Sequence, residues 1–428
     1  MKADGTPAAD ASTRLRVLVY PHVLTVGGSQ LNAVELAGAV RDLGHEVVVF
    51  GTPGALVEVV RDLGLPYVES PPPGRRPSVE VVKALRATVR DREIDVLHGY
   101  EWPPALECYL VGDLLERRPA VCTVMSMAVA PFIPSGMPLM VGTRHIQATV
   151  QPRRTSHVTL LEPPVDTWRN GPEAPRGQLP DGLRPEPGVL TVVVVSRLAR
   201  ELKLQGLLEA VSVMPQLAAE LPVRLVVVGG GPARAELTAA ALCANRLSGR
   251  EVVVLTGEVM DPRPLYALAD VCLGMGGSAV RALAHARPLV VQGEEGFWEE
   301  LNPSTVQRFL YQGWYGTGDG TDGSATLLRL LRRLLTDPQR RAQLGAFGRQ
   351  LAEDRFSLDH AARVQAEVYA DAVRQFAIRR PPIADALRSG AGLARHVARR
   401  RVHRLLGRHA EEDFNAVQVQ PPVVGVPA

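Results

Sequence analysis

The residues that could do chemistry cluster at turns. Arg197 and Lys203 share the segment Ser196-Arg197-Leu198-Ala199-Arg200-Glu201-Leu202-Lys203. Two cations at one turn suit a diphosphate, arginine as a bidentate donor and lysine as a point charge. Arg197 follows directly on an apolar run, so it ends a buried strand rather than decorating a surface. Gly27-Gly28-Ser29 and Gly274-Met275-Gly276-Gly277-Ser278 are glycine-rich turns. Glycines at a helix start let backbone N–H groups approach an anion, and the helix dipole assists. Each turn also has a structural reading: a tight turn with Ser29 as N-cap, and close helix–strand packing at Gly274–Ser278. Val228-Gly229-Gly230-Gly231-Pro232 looks similar but reads better as a turn with proline at the first helical position. His98, in Asp95-Val96-Leu97-His98-Gly99-Tyr100-Glu101-Trp102, sits at a strand end. It either faces a cleft or is a satisfied structural hydrogen-bonder, and both readings stand.

Several chemistries are absent from the sequence. There is no nucleophile elbow, no Walker A segment and no close pair of metal-binding acids. The first turn lacks Gly-x-Gly-x-x-Gly with a ribose-binding acid about 20 residues on, which argues against a nicotinamide enzyme. Cys108, Cys122, Cys243 and Cys272 form no C-x-x-C pair, so neither a zinc site nor a disulfide framework is expected. A reduced, cytoplasmic compartment fits best.

The elements that must position these turns follow a single pattern. Short β-branched runs at 15–20, 46–50, 65–68, 95–98, 121–125 and 157–161 alternate with amphipathic stretches. Residues 163–188 then carry seven prolines and no hydrophobic period, as a linker does. The pattern restarts at 189–195, a near-continuous apolar strand of the kind a parallel sheet buries on both faces, and repeats at 223–228, 251–256, 270–273 and 288–292. Alternation of this kind predicts parallel βαβ units. The fold class is α/β, with two Rossmann-like domains facing across a cleft. The expected division is a disordered 1–13, a first domain over 14–162, the linker 163–188 and a second domain over 189–356. A helix over 357–378 crosses back, and a basic tail covers 379–428. Ligands of open α/β sheets sit beyond the carboxyl ends of the strands, which is where the turns above fall.

Composition agrees with a globular protein. The 428 residues are 46% apolar and 22% charged, with 48 basic and 45 acidic side chains. A net charge of +3 is too balanced for a dedicated nucleic-acid binder. The excess belongs to the tail, where 379–428 hold nine arginines against four acids. Residues 384–409 could form a basic amphipathic helix with Leu393, Val397, Val402 and Leu405/Leu406 on one side. Such a helix could touch anionic lipid heads on the cytoplasmic face, or simply be solvated. The uncharged stretch between Arg118 and Arg144 contains Pro119, Pro131, Pro134 and Pro138, which would break a spanning helix. The N-terminal segment has no apolar core, so a signal peptide is not expected there.

In order and spacing the motifs resemble the group-1 retaining glycosyltransferases, family-4-like enzymes of the GT-B fold. The resemblance covers about residues 14–378. Its pieces are Gly27-Gly28 with Gly44-His45-Glu46-Val47, then Ser196-Arg197-Leu198 with Lys203. Gly229-Gly230-Gly231-Pro232, Leu255-Thr256-Gly257-Glu258-Val259, Tyr266–Val271 and Arg281–Val290 complete the set. The resemblance implies transfer of a sugar from a nucleotide-sugar donor to an unknown acceptor, with retention and without metal or other cofactor. It implies that Arg197 and Lys203 grip the donor diphosphate and that Gly257 and Val259 lie near the base. Gly274, Gly276, Gly277 and Ser278 would present N–H groups to sugar or phosphate, and Gly27 and Gly28 would approach from the first domain. The acceptor would lie against His98, Tyr100, Glu101 and Trp102.

One position departs from the family pattern. Two glutamates eight positions apart are usual at the Leu273–Arg281 turn, the second binding ribose hydroxyls. Here that position is Arg281, and no acid occurs between Asp270 and Glu294. Arginine accepts no hydrogen bonds. Arg281 is expected to meet phosphate instead, with Glu294 or Glu295 taking the ribose. The departure keeps two alternatives open: a sugar-nucleotide epimerase, and a catalytically inactive binding subunit.

Overall fold

The structure is a computed structural model and describes residues 14–405, except 75, 176, 181 and 379–382. The expectations for 1–13 and for the tail beyond 405 lie outside the described residues. Two sheets organise the chain. The first holds β1 (Arg16–Tyr20), β2 (Glu46–Gly51), β3 (Tyr67–Glu69), β4 (Val96–Tyr100), β5 (Ala120–Val124), β6 (Leu139–Val141) and β7 (Val158–Leu160). They pair in the order β3-β2-β1-β4-β5-β6-β7, all parallel. The order reverses at β1/β4, the switch point where α/β sheets open a crevice.

The second sheet holds β8 (Leu190–Val195), β9 (Val223–Val228), β10 (Val253–Gly257), β11 (Val271–Gly274), β12 (Leu289–Gln292) and β13 (Trp298–Glu300). Their order is β10-β9-β8-β11-β12-β13, with only the β13 edge antiparallel. β8 and β9 pair over six residues, from Leu190↔Val223 to Val195↔Val228. Their Val-rich sequences follow from this: both faces carry helices, so both faces must be apolar. Val192, Val193, Val194, Val226 and Val227 are all buried.

Two strands escape the sequence pattern. β6 has three residues inside the proline-rich stretch, and β13 reads Trp-Glu-Glu. Both are too short to show a period. The linker 163–188 is only partly a spacer. Val165 bridges Ser357, and Val165 and Leu183 are buried in the second domain's core. The helix Leu358–Ile378 does return to the first domain, placing Ala361, Ala362, Val368, Tyr369 and Ala372 in that core.

The basic segment does not hang free. A helix runs over Ile383–Leu405. Asp385 accepts from the Ser135 N–H and hydroxyl and from the Gly136 N–H, and the Ser389 hydroxyl donates to the Phe132 carbonyl at 2.6 Å. Leu393 packs partly buried against the first domain's core, as expected for the apolar side.

Candidate active site

The carboxyl end of β8 is held by a backbone clamp. Ser196 N–H donates to the Val228 carbonyl, Leu198 N–H to that of Gly230, and Ala233 N–H to that of Leu198. Gly229 and Gly231 have φ of +142° and +149°, and a Cβ there would stand 1.9 Å from the Ser196 oxygen and 2.5 Å from the Leu198 oxygen. Only glycine permits that approach. The triple glycine therefore fixes the turn that carries Arg197, in line with its structural reading. Arg197 itself is exposed and lines a cavity of about 910 Å³.

Lys203 follows six residues later, where the chain enters the helix Leu204–Ser212. Its carbonyl accepts from Gln292 Nε2, which ties the helix start to β12. Burial, and then the charge of Arg197, hold the Lys203 amine down to about 7. Lys203 lines a smaller cavity of about 220 Å³ together with Met275 and Gly276. Gly276 has φ +57° and precedes the helix Gly277–Ala284. Beside Gly276 and Gly277 the space a Cβ would take is open. The Ser278 hydroxyl is turned inward, accepting from Met275 N–H and donating to the Met275 carbonyl. A lysine, an arginine close enough to perturb it and a helix N-terminus thus border neighbouring cavities, an arrangement that suits polyanions. Gly274 is buried at the β11 end, packed on Ser278. Gly257 is buried at the β10 end, packed on the Arg234 guanidinium, and Val259 is half-buried beyond it.

The first domain faces this from β4 and β5. Gly27 caps the helix Gly28–Asp42, and Gly28 opens on free space. Ser29 is not the cap; its hydroxyl donates to Glu101 Oε1 at 3.4 Å. Glu101, at φ +63°, also accepts from the Met125 N–H and the Ser126 hydroxyl. Burial pushes its carboxyl up, against the pull of those hydrogen bonds. Glu101 and Trp102 line the larger cavity with His22 and Arg76. Ser126 lines both cavities.

Four expected residues are placed elsewhere. His98 is wholly buried, with Nδ1 2.6 Å from the Tyr369 hydroxyl and Nε2 2.7 Å from that of Thr123. Burial pushes it down to about 3, so it is a neutral core histidine and not a catalyst. β4 runs two residues past His98, which is why the sequence overestimated its reach. Tyr100 is buried as well, its hydroxyl donating to Gln365. Arg281 does not meet the anion turn. Its guanidinium reaches both carboxylate oxygens of Glu35 at 3.1 Å and Asn170 at 3.4 Å, beside a separate recess of about 590 Å³. Glu294 lies in a β-bridge with Thr317 and borders none of these three cavities.

Sequence reasoning missed Ser126, Arg76 and His22. Ser126 follows the carboxyl end of β5, so the strand-end rule applied to β5 would have found it. His22 lies just past the carboxyl end of β1, where the same rule applies, whereas nothing local marks Arg76, which arrives on an irregular loop.

Two facing Rossmann-like domains with a cation-lined cleft define a GT-B group-transfer enzyme. The comparisons narrow the class. The family described as "Glycosyl transferases group 1" matches residues 190–315, and that described as "Glycosyl transferase 4-like domain" matches residues 27–148. The two matches together cover more than half of the chain, which belongs to the group-1 glycosyltransferases. No curated protein sequence matches it. Among solved structures, a glycosyltransferase from Rickettsia africae is similar at TM-score 0.64 and 14% identity, over 84% of this chain and 99% of that one. HepE from Anabaena, in complex with UDP-glucose, is similar at TM-score 0.61 and 15% identity, over 84% of this chain and 100% of that one. WaaG, a glycosyltransferase involved in lipopolysaccharide biosynthesis, is similar at TM-score 0.55 and 15% identity, over 83% and 99%. Such identities establish the shared fold.

Proposed function

We propose that this glycosyltransferase takes its sugar from a nucleotide-diphosphate donor, transfers it with retention and uses no metal. The observation that carries the reading is Lys203 beside Arg197 and Gly276. Burial and the like charge of Arg197 hold this amine down to about 7, and a neighbouring anion would favour its charged form. A bound diphosphate would restore the ammonium, accept from Arg197 and face the N–H groups at Gly276 and Gly277. The UDP-glucose held by HepE supports a nucleotide-sugar donor here.

The chemistry follows from what the cleft supplies. As the glycosidic C–O bond breaks, charge builds on the departing diphosphate. Fixed cations at that position lower the barrier because they bind the separated charge better than the ground state. Double displacement through a carboxylate needs a second acid opposite the first. Among the described residues Glu101 is the sole carboxylate lining the larger cavity and Glu162 the sole one lining the smaller. Glu101 is engaged by Ser126 and Met125, and Glu162 by Arg355 at 2.6 Å. Neither stands ready as a nucleophile. The acceptor hydroxyl then attacks from the face the diphosphate leaves, and a phosphate oxygen takes its proton. Among the described residues no group of three or more His, Cys, Asp or Glu side chains could hold a metal ion. No described helix is long and apolar enough to cross a membrane.

The test is donor turnover by mass spectrometry in EDTA with a panel of sugar nucleotides, for wild type and Lys203→Ala. Product without added metal, lost in the variant, supports the reading. A strict metal requirement, or unchanged turnover in the variant, overturns it.

A further inference from the structure

The larger cavity has a wall that the two-domain fold does not supply. Of its lining residues, fifteen come from the first domain, Arg197 alone from the second, and His396, Val397, Arg400 and Arg401 from the helix Ile383–Leu405. That helix is fastened by Asp385 and Ser389 to the 132–136 loop, whose neighbours Ala130 and Ile133 line the same cavity. A Cβ on Gly392 would stand 2.8 Å from the Phe132 Cβ, so helix and loop are in close contact. Trp102, Phe132 and His396 form one aromatic group at ring separations of 5.2–5.9 Å. The wall is therefore built and is continuous with the acceptor side.

Its charge is one-sided. Among the described residues four arginines line the cavity (Arg76, Arg197, Arg400 and Arg401) against the single carboxylate of Glu101. Arg76 is paired with Glu107 behind the wall, and His22 is pushed down to about 4 by burial and by Arg76. Beside the polar Thr25, Gln30, Ser126 and His396, the lining carries an apolar set: Val23, Val26, Trp102, Ala130, Ile133 and Val397. Arg197 belongs to the donor turn, whereas Arg400 and Arg401 reach the cavity of about 910 Å³ from the C-terminal helix.

From this the geometry points to an acceptor that carries a phosphate ester beside an apolar group, with Arg400 and Arg401 binding the phosphate and the Trp102–Ile133 side holding the apolar part. The inference rests on the proposed glycosyl transfer at this cleft. Arginine suits the task because its planar fork pairs two phosphate oxygens. The ester's source is either a soluble phosphate or a lipid headgroup reached at the cavity mouth.

The experiment titrates full-length protein, saturated with UDP, with octyl phosphate below its micelle concentration, and with octyl glucoside as the uncharged control. Expected is saturable octyl phosphate binding, weakened roughly tenfold or more in an R400Q/R401Q double variant, and little octyl glucoside binding in either protein. UDP affinity in the double variant, measured alongside, reports that the fold is intact. Equal octyl phosphate affinity in both proteins, or none in the wild type, overturns the inference. UDP failing to bind wild type while octyl phosphate binds through Arg400 and Arg401 would instead overturn the donor reading and keep the anion site. Vesicles of phosphatidylglycerol separate the sources: co-sedimentation lost in the double variant assigns the phosphate to lipid, and its absence beside octyl phosphate binding assigns it to a soluble ester.

Discussion

Two nitrogen bases, Lys203 at the cleft and His98 in the first domain's core, have opposite fates, and both are readable in protons. Lys203 is pushed down to about 7, whereas a bound dianion favours its ammonium. UDP binding above pH 7 should therefore draw a proton onto the protein, and affinity should fall as pH rises from 7.5 to 9. Calorimetry in buffers of different ionisation heat measures that uptake directly, and Lys203→Met should abolish both the uptake and the slope. His98 is pushed down to about 3 by burial. Its folded value lies below its unfolded one, so its contribution is complete above pH 6.5 and is lost as pH falls towards 3. The stability gap between wild type and His98→Asn, measured by urea unfolding, should narrow from pH 7 to pH 4. That variant should keep its turnover per folded molecule at 25 °C. The sequence could name both residues but not part them. Lys203 was legible because a cation followed a strand end. His98 was misplaced because burial depends on Tyr369 and Thr123, 271 and 25 residues away.

At the scale of elements, the triple-glycine turn and the C-terminal helix set the limits of the site. The chain at Gly231 combines a φ of +149° with a Cβ path blocked by the Leu198 carbonyl at 2.5 Å. Gly231→Ala should cost about 1–3 kcal/mol and shift Arg197 with its turn. Thermal unfolding should show the loss, and UDP affinity should drop further than stability alone explains. The strands of both sheets were largely legible, since two-sided burial writes itself as runs such as Leu190–Val195. The helix Ile383–Leu405 was legible as basic and amphipathic, but its docking was not. Asp385 seats it on Ser135 and Gly136, 250 and 249 residues away, and no local pattern encodes that contact.

Across the whole molecule, the domains are joined by more than their linker. Arg281 and Glu35 are a partly buried ion pair between the helices Gly277–Ala284 and Gly28–Asp42, their side chains 15% and 17% exposed. Removing one partner strands the other, so Arg281→Ala should cost up to about 3 kcal/mol, whereas Arg281→Met with Glu35→Leu should recover part of it. Differential scanning calorimetry of the single and double variants tests that coupling. Arg281 thus stands where the family pattern places a ribose-binding glutamate and serves the domain pairing instead, a role invisible until the two domains are seen together. In the proposed reaction the cleft between those domains holds a donor diphosphate on Arg197 and Lys203. Arg197 is exposed at a strand end, so truncating it should leave the fold unchanged. The most direct measurement is calorimetric titration of UDP into wild type and Arg197→Ala in EDTA, followed by turnover of the donor that the wild type accepts. The account predicts metal-free binding by the wild type, at least tenfold weaker binding by the variant, and turnover reduced roughly 10²-fold. Equal UDP affinity and turnover in the two proteins would contradict it.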